Sequence, residues 1–168
     1  MVEIRYIAAS DSIEALTMLL HSAYARLGDM GLNYTAVDQS ALTTARRMKG
    51  NHCFVSVADG EIVGTIVVKP PSENPACPYF ARRDVASAHQ FAVAPQHQGK
   101  GIGSRLLAHA ESWARDNGYA ELALDTAEPA QHLIALYSRR GYKWVGSVQW
   151  EGKRYQSVLM AKTLENAA

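Results

Sequence analysis

The chain has 168 residues, of which 48% are hydrophobic and 20% charged, a composition typical of a globular protein with one sizeable core. The net charge of +1 gives no basic field for nucleic acid or an anionic membrane. Cys53 and Cys77 form no disulfide framework, the six histidines show no metal-ligand spacing, and no apolar run suggests a leader or membrane span. We therefore expect a single cytoplasmic domain over residues 1–168, with reduced thiols and no metal.

The first half of the chain predicts a strand, two helices and a hairpin. Alternating residues 2–9 predict the strand, and the helix that follows is expected to end at Gly28. After a loop, residues 39–50 predict a shorter helix. Two β-branched runs flank Asp59-Gly60, which predicts a hairpin with a type I′ turn.

The second half predicts strands and helices that alternate after an irregular excursion. Residues 70–86 hold four prolines, and an excursion of that length in a compact domain is usually functional or mobile. The elements that follow are a buried strand over 87–94, a helix ending at Gly118, a strand over 120–127, a helix with Pro129 in its first turn, and a closing hairpin over 142–162. This order predicts one α/β sheet of mixed direction.

A glycine-rich segment, VAPQHQGKGIGSRLL at residues 93–107, joins the buried strand to the next helix. Gly99, Gly101 and Gly103 occupy alternate positions exactly where the helix should begin. Alternating glycines cost backbone entropy, and a turn alone needs fewer of them. We therefore expect the backbone N–H groups of this segment to approach an anion closely.

Two common phosphate-binding loops do not fit this segment. A P-loop would need glycine where Ala94 stands and Ser or Thr where Gly101 stands. A dinucleotide fingerprint fails because Ser104 or Leu106 takes the place of its third glycine. The shared physics remains, since a helix N-terminus presents N–H groups to a diphosphate, Lys100 adds a positive charge and Ser104 a hydroxyl donor.

With these residues the sequence resembles the GNAT superfamily of acyl-CoA-dependent N-acetyltransferases. The family's strand ending in Val-x-Pro stands here as Val93–Pro95, and its (Gln/Arg)-x-x-Gly-x-(Gly/Ala) motif is carried by Gln98–Gly103. Its second block stands as Tyr137 followed by Gly141-Tyr142. The match covers roughly residues 50 to 163. The resemblance implies a mixed, mostly antiparallel twisted sheet of about six to seven strands flanked by about four helices.

The sequence departs from the family pattern at the start of the second block. Many members carry an Asn that contacts the cofactor about seven residues before the tyrosine, where this chain has Ala130. Leu133 stands where a small Ala is usual. One side-chain contact to the cofactor must therefore be absent, or be supplied by Gln131 or His132.

The resemblance implies acetyl-CoA as the co-substrate and no metal. The CoA diphosphate would bind the N–H groups of residues 98–104, and the pantetheine arm would run along the edge of residues 91–95 like an added strand. The implied cofactor-binding residues are Phe91, Ala92, Val93, Gln98, Gly99, Lys100, Gly101, Ile102, Gly103, Ser104, Leu133 and Tyr137.

The implied chemistry is direct attack by an amine on the thioester in a ternary complex. Tyr137 is the family's usual general acid for the CoA sulfur, although its helical spacing equally fits a core tyrosine. The general base is open between His89, Asp125 and a relay through water, and His89 is equally consistent with an ordinary strand histidine. No nucleophilic residue is required.

The resemblance implies that the acceptor is a primary amine of a small molecule or a peptide. By resemblance, the loop after the first helix and the proline-rich excursion line the acceptor side, which makes Tyr24, Asn33, Tyr34 and Tyr79 candidates for substrate binding or for packing. A catalytically silent acyl-CoA sensor with the same fold is the alternative. No nucleic acid or membrane partner is expected, and dimerisation through the C-terminal hairpin, common among relatives, stays open.

Overall fold

The computed structural model describes residues 1–165, which form an α/β fold with a seven-stranded, mostly antiparallel sheet and five α-helices. The strands are β1 (Val2–Tyr6), β2 (His52–Ala58), β3 (Glu61–Lys69), β4 (Val85–Val93), β5 (Glu121–Ala127), β6 (Lys143–Val148) and β7 (Ser157–Thr163). The helices are α1 (Ile13–Asp29), α2 (Thr35–Asp38), α3 (Ala41–Met48), α4 (Ile102–Asp116) and α5 (Gln131–Arg139). Residues 166–168 of the predicted domain lie outside the described part.

The strand order is β1-β2-β3-β4-β5-β7-β6. The pairs β1–β2, β2–β3, β5–β7 and β6–β7 are antiparallel, whereas β4 and β5 are parallel and are joined through α4. The predicted α/β class and mixed sheet are therefore confirmed. Residues 1–165 contain five α-helices, where about four were expected, because the loop after α1 forms the short helix α2.

The described residues divide into two compact units. The first comprises residues 1–68 and 89–110, and the second comprises residues 69–88 and the chain from Glu111 onward. Strand β4 contributes residues to both units.

In the first unit, helices α1 and α2 pack on the end of β4. Leu19 and Leu20 of α1 form a core cluster with Ala36 of α2 and with Ala92 and Ala94. The predicted hairpin is confirmed, because Asp59 and Gly60 have φ values of 50° and 80°, the two positive values of a type I′ turn.

The expectation that Gly28 ends the first helix is wrong. Helix α1 continues through Gly28 to Asp29, and the residue with positive φ is Gly31, at 82°. A Cβ atom at Gly28 would lie 3.0 Å from Cγ1 of Val37. The glycine is therefore explained by close packing against Val37, which sequence alone does not reveal.

In the second unit, α5 begins one turn later than expected. The helix begins at Gln131 and its N-cap is Ala130, so Pro129 precedes the helix instead of lying in its first turn. The predicted C-terminal stop is correct. Gly141 has a φ of 91°, and the Tyr142 N–H donates to the Tyr137 carbonyl at 3.1 Å.

A partly buried hydrogen bond joins the chain after α5 to α4. The Tyr142 hydroxyl donates to Oε1 of Glu111 at 2.9 Å, and Nζ of Lys162 donates to Oε2 of the same carboxylate at 3.0 Å. Burial, followed by the charge of Glu111, raises the pKa of Tyr142 well above its usual range. The phenol is therefore protonated at neutral pH and can donate this hydrogen bond.

We predict that Tyr142→Phe lowers the free energy of unfolding by about 2 kcal/mol, because it removes the hydrogen bond that a buried tyrosine makes to a charged group. The matched control is Tyr119→Phe, since the Tyr119 ring stacks on Trp113 and keeps that contact without its hydroxyl. The control should change stability by less than about 0.5 kcal/mol. Urea denaturation of both variants measures the difference, and equal losses would contradict the assignment.

Candidate functional site

The end of β4 presents two different edges. The Ala94 N–H donates to the Val63 carbonyl of β3 at 2.8 Å, and the Ala92 carbonyl lies beside Gly64 of β3. Because alternate residues of a strand direct their backbone polar groups to the same side, Phe91 and Val93 direct theirs to the opposite edge.

The carbonyls at this outer edge are bonded by side chains. The Phe91 carbonyl accepts a hydrogen bond from the Tyr24 hydroxyl at 3.0 Å, and the Val93 carbonyl accepts one from Nε2 of Gln98, also at 3.0 Å. Of the predicted cofactor-binding residues of β4, Phe91 and Val93 therefore face this edge. Ala92 does not, since its side chain is in the core and its backbone faces β3.

The glycine turn after β4 has two left-handed residues. Gly99 and Gly101 have φ values of 75° and 82°, and a Cβ at either position would meet nothing within 4 Å. Their requirement for glycine is therefore conformational, and the space beside them is open. Lys100, between them, is exposed.

Helix α4 begins directly after this turn. Its first N–H groups, from Ile102 to Ser104, carry the positive end of the helix dipole. The Ile102 side chain is buried, so only its backbone is available to a ligand. Gly103 differs from the other two glycines: a Cβ there would make ordinary contacts of 3.5 Å with Phe91 and Val93.

In the second unit, α5 carries the predicted general acid. Tyr137 is half-buried, and its ring meets that of Tyr142 edge-on at a centroid distance of 5.9 Å. Leu133, one turn earlier, is also half-buried. Ala130 is fully buried, and Nε2 of Gln131 donates to the Glu128 carbonyl, so the Gln131 amide is engaged within its own turn.

The two candidate bases lie on adjacent strands. His89 is half-buried on β4. Asp125 is half-buried on β5, and its Oδ2 accepts a hydrogen bond from Nε1 of Trp150 at 2.8 Å. The Trp150 ring stacks on Phe80 of the proline-rich excursion at 6.2 Å. The hydrogen bond from Trp150 to Asp125 was not expected from the sequence.

The candidate acceptor-binding tyrosines have structural partners. The Tyr24 hydroxyl donates to the Phe91 carbonyl, and the Tyr24 ring lies 5.5 Å from the Tyr34 ring. Asn33, which precedes Tyr34 in the sequence, is half-buried. The Tyr79 hydroxyl donates to Oε1 of Glu121. Tyr24 and Tyr79 thus fasten segments of the fold, whatever else they contact.

Tyr79 is also covered by a cation. The Arg82 guanidinium lies 4.7 Å from the Tyr79 ring centroid and pairs with Asp84 and Glu121 at 2.9 and 3.0 Å. Burial, together with the hydrogen bond and charge of Glu121, raises the pKa of Tyr79 to about 12. Arg82 is therefore engaged with two carboxylates of its own unit.

Other reactive groups lie outside these arrangements. Cys53 and Cys77 are buried, and burial raises the pKa of both thiols, so neither is a thiolate at neutral pH. Within residues 1–165 no three His, Cys, Asp or Glu side chains converge as metal ligands, and no helix is both long and apolar enough to cross a membrane. A surface pocket of about 460 Å³ in the second unit is lined by Glu111, Leu136, Arg139, Arg140 and Lys162.

Comparison with known proteins shows what this chain is similar to. The model of the acetyltransferase (GNAT) family matches residues 17–142. S-(2-succino)cysteine N-acetyltransferase of Bacillus subtilis (strain 168) is 31% identical over 162 residues, which cover 95% of each protein.

Two solved structures share the fold. The ribosomal-protein-S18-alanine N-acetyltransferase of Escherichia coli has a TM-score of 0.74 and 20% identity, with 100% of this chain and 97% of that chain covered. A GNAT family acetyltransferase of Elizabethkingia anophelis, crystallised with acetyl-CoA bound, has a TM-score of 0.70 and 18% identity over 97% of this chain and 98% of that chain.

The Tyr79 hydroxyl should stabilise the protein only while it is protonated. Its folded-state pKa of about 12 lies above the ordinary tyrosine value near 10. Its contribution is therefore complete below pH ~10 and is lost as the pH rises through about 12.

We predict that Tyr79→Phe lowers the free energy of unfolding by about 1 kcal/mol at pH 7, and that this deficit shrinks above pH ~10. Urea denaturation of both proteins across this pH range measures the deficit. A deficit that stays constant to the highest pH at which both proteins fold would contradict the proposed donor role.

Proposed function

The chain belongs to the acetyltransferase (GNAT) family, and from this premise we propose that it acts as a single N-acetyltransferase domain. It transfers an acetyl group from acetyl-CoA to a primary amine of a small molecule or a peptide, by direct attack while both substrates are bound. The observation that carries the proposal is the backbone of β4 and its glycine turn. The edge of β4 and the N-terminus of α4 both present backbone N–H donors, and a turn with two left-handed glycines joins them.

The glycine turn supports binding of the CoA diphosphate. Gly99 and Gly101 take up a left-handed backbone with open space beside them, and the N–H groups of residues 102–104 begin a helix of 15 residues. Charge on a diphosphate is stabilised by such N–H groups and by the helix dipole. Lys100 adds a cation at the exposed surface of the turn.

The outer edge of β4 supports binding of the pantetheine arm and the thioester. Phe91 and Val93 direct their backbone N–H groups to this edge, where a bound chain would pair as an added strand. An N–H of this pair is the donor that stabilises negative charge on the thioester oxygen as the amine attacks. Leu133 and Tyr137 of α5 complete the proposed cofactor contacts.

Proton transfers finish the reaction. The attacking amine must be neutral, and the CoA sulfur must gain a proton as the carbon–sulfur bond breaks. We assign the second transfer to the Tyr137 hydroxyl. The first goes to His89, to Asp125 or to a relay through water, and a pH profile separates the histidine from the carboxylate. A base with the ordinary histidine pKa makes kcat/KM rise near pH ~6.5, whereas a carboxylate base places that rise at lower pH.

A relative that aligns over nearly its whole length supports a choice of acceptor class. That protein is named for acetylation of S-(2-succino)cysteine. We propose an S-substituted cysteine or a similar small amino acid as the first acceptor to test, with its α-amine as the nucleophile. The silent-sensor alternative has no observation in its favour.

The test of the proposed function is the release of free CoA thiol from acetyl-CoA in the presence of a panel of amines. The panel holds S-(2-succino)cysteine, free amino acids, a polyamine, an aminoglycoside and a peptide with a free N-terminus. Turnover with one class supports the proposal and identifies the acceptor. Tight acetyl-CoA binding without turnover on any of them would favour the silent module instead.

Tyr137→Phe should lower kcat by about 100-fold or more with little change in acetyl-CoA Kd, because it removes a general acid and leaves the ring. The matched control is Tyr142→Phe, which removes a neighbouring hydroxyl that donates to Glu111. The control should lose stability and keep its kcat. If Tyr137→Phe keeps the wild-type kcat, Tyr137 is not the general acid and serves only in packing.

Gly101→Val should weaken acetyl-CoA binding about tenfold or more, because a side chain shifts the N–H groups away from the diphosphate. Gly118→Val is the matched control. Gly118 has a φ of 85°, close to the 82° of Gly101, and equally open space, but it ends α4 instead of preceding it. Isothermal titration should show lost affinity in the first variant alone. Equal affinities in the two folded variants would contradict the diphosphate assignment.

A further inference from the structure

One residue of β4 departs from the geometry of its strand. Gln90 has a φ of 47°, which side chains other than glycine rarely adopt, and it is only 4% exposed. It lies in the middle of β4, directly before the residues that form the outer edge. A buried left-handed residue persists only where its surroundings hold it there, and such residues cluster at functional sites.

The side chain of Gln90 is held by a single hydrogen bond. Its Oε1 accepts from Nε2 of Gln39 at 2.7 Å. Its own Nε2 is buried and has no hydrogen-bond partner among residues 1–165. A strained backbone and an unsatisfied donor at one buried position both cost stability, so stability does not explain the choice of glutamine here.

Gln39, in contrast, is bonded on every side. Nη1 of Arg47 donates to its Oε1 at 2.8 Å, and its Nε2 also donates to Oγ1 of Thr44 at 2.7 Å. Thr44 is bonded in turn to Thr17 of α1 at 2.7 Å, and the Gln39 carbonyl lies 2.7 Å from Nε2 of His21. The Gln39 amide is therefore fixed in place and in orientation.

The next residue of β4 is anchored as well. The Phe91 carbonyl bonds the Tyr24 hydroxyl of α1. Two successive residues of the strand are thus attached to the helical layer by side chains. The direction of the backbone at the outer edge depends on both attachments, because Gln90 sets the turn of the chain immediately before Phe91.

We propose that Gln39 is a positioning residue. It holds Gln90 in the left-handed conformation and thereby aims the Phe91 and Val93 N–H groups at the thioester oxygen. This inference rests on the proposed function, since it assigns a cause to the orientation of the donors that the reaction uses. Gln39 itself touches neither substrate in this account.

The first test compares Gln39→Met with Gln39→Glu. Methionine fills a similar volume but cannot bond Gln90, so kcat should fall about tenfold or more while acetyl-CoA Kd changes much less. Glutamate still accepts from Arg47, and it accepts from the Gln90 amide once that amide is rotated. Gln39→Glu should therefore recover most of the kcat lost in Gln39→Met.

The second test uses glycine at the strained position. Glycine adopts a positive φ without a side chain to hold it. The double variant Gln39→Met/Gln90→Gly should therefore regain kcat relative to Gln39→Met, even if its Tm is lower still. If Gln39 had a purely structural role, kcat would follow Tm, and the double variant would be no more active than Gln39→Met.

Gln90→Leu makes the same test if Gln39→Met does not fold. It keeps the bonds of Gln39 to Arg47 and Thr44 while removing the bond that holds the strained residue, and it should show the same loss of kcat. Wild-type kcat in folded Gln39→Met or Gln90→Leu would overturn the positioning role and leave the proposed function intact. Absence of thiol release from the wild-type protein would overturn both.

Discussion

The backbone path from Gln90 to Gly101 is the constraint on which the proposed chemistry depends. Left-handed residues stand at its beginning and end, and between them Phe91 and Val93 direct their polar groups away from β3. A regular strand followed by an ordinary turn would direct these groups elsewhere. The diphosphate, the pantetheine arm and the thioester oxygen are all assigned to main-chain donors of this one stretch, so side chains contribute chiefly by holding its shape.

Aromatic hydroxyl and indole N–H groups fix segments of each unit. Tyr24 bonds a carbonyl of β4 in the first unit, while in the second Tyr79 bonds Glu121 and Trp150 bonds Asp125. These bonds give the proline-rich excursion and the outer edge defined positions. They also explain why polar aromatic residues near a predicted site are ambiguous in a sequence: the same hydroxyl that could bind a substrate can equally satisfy a backbone or a carboxylate.

The sequence predicted local structure better than long-range contacts. Asp59-Gly60 and Gly118 were predicted correctly because their positive φ is a local requirement of the turn and of the helix end. Gly28 was assigned wrongly because its cause is Val37, a packing partner that periodicity does not show. The left-handed Gln90 had no local signal at all, since its conformation depends on Gln39, 51 positions away. The glycine motif was recognisable from the sequence because a left-handed backbone, as at Gly99 and Gly101, favours glycine.

The most direct test of this account is a titration of ¹⁵N-labelled protein with acetyl-CoA, followed by the backbone amide shifts. Large, saturable shifts are expected for the amides of residues 98–104, and for Phe91 and Val93, whose N–H groups face the outer edge. Saturable binding that leaves all of these amides unshifted while others move would contradict the central claim that this main chain holds the acyl donor.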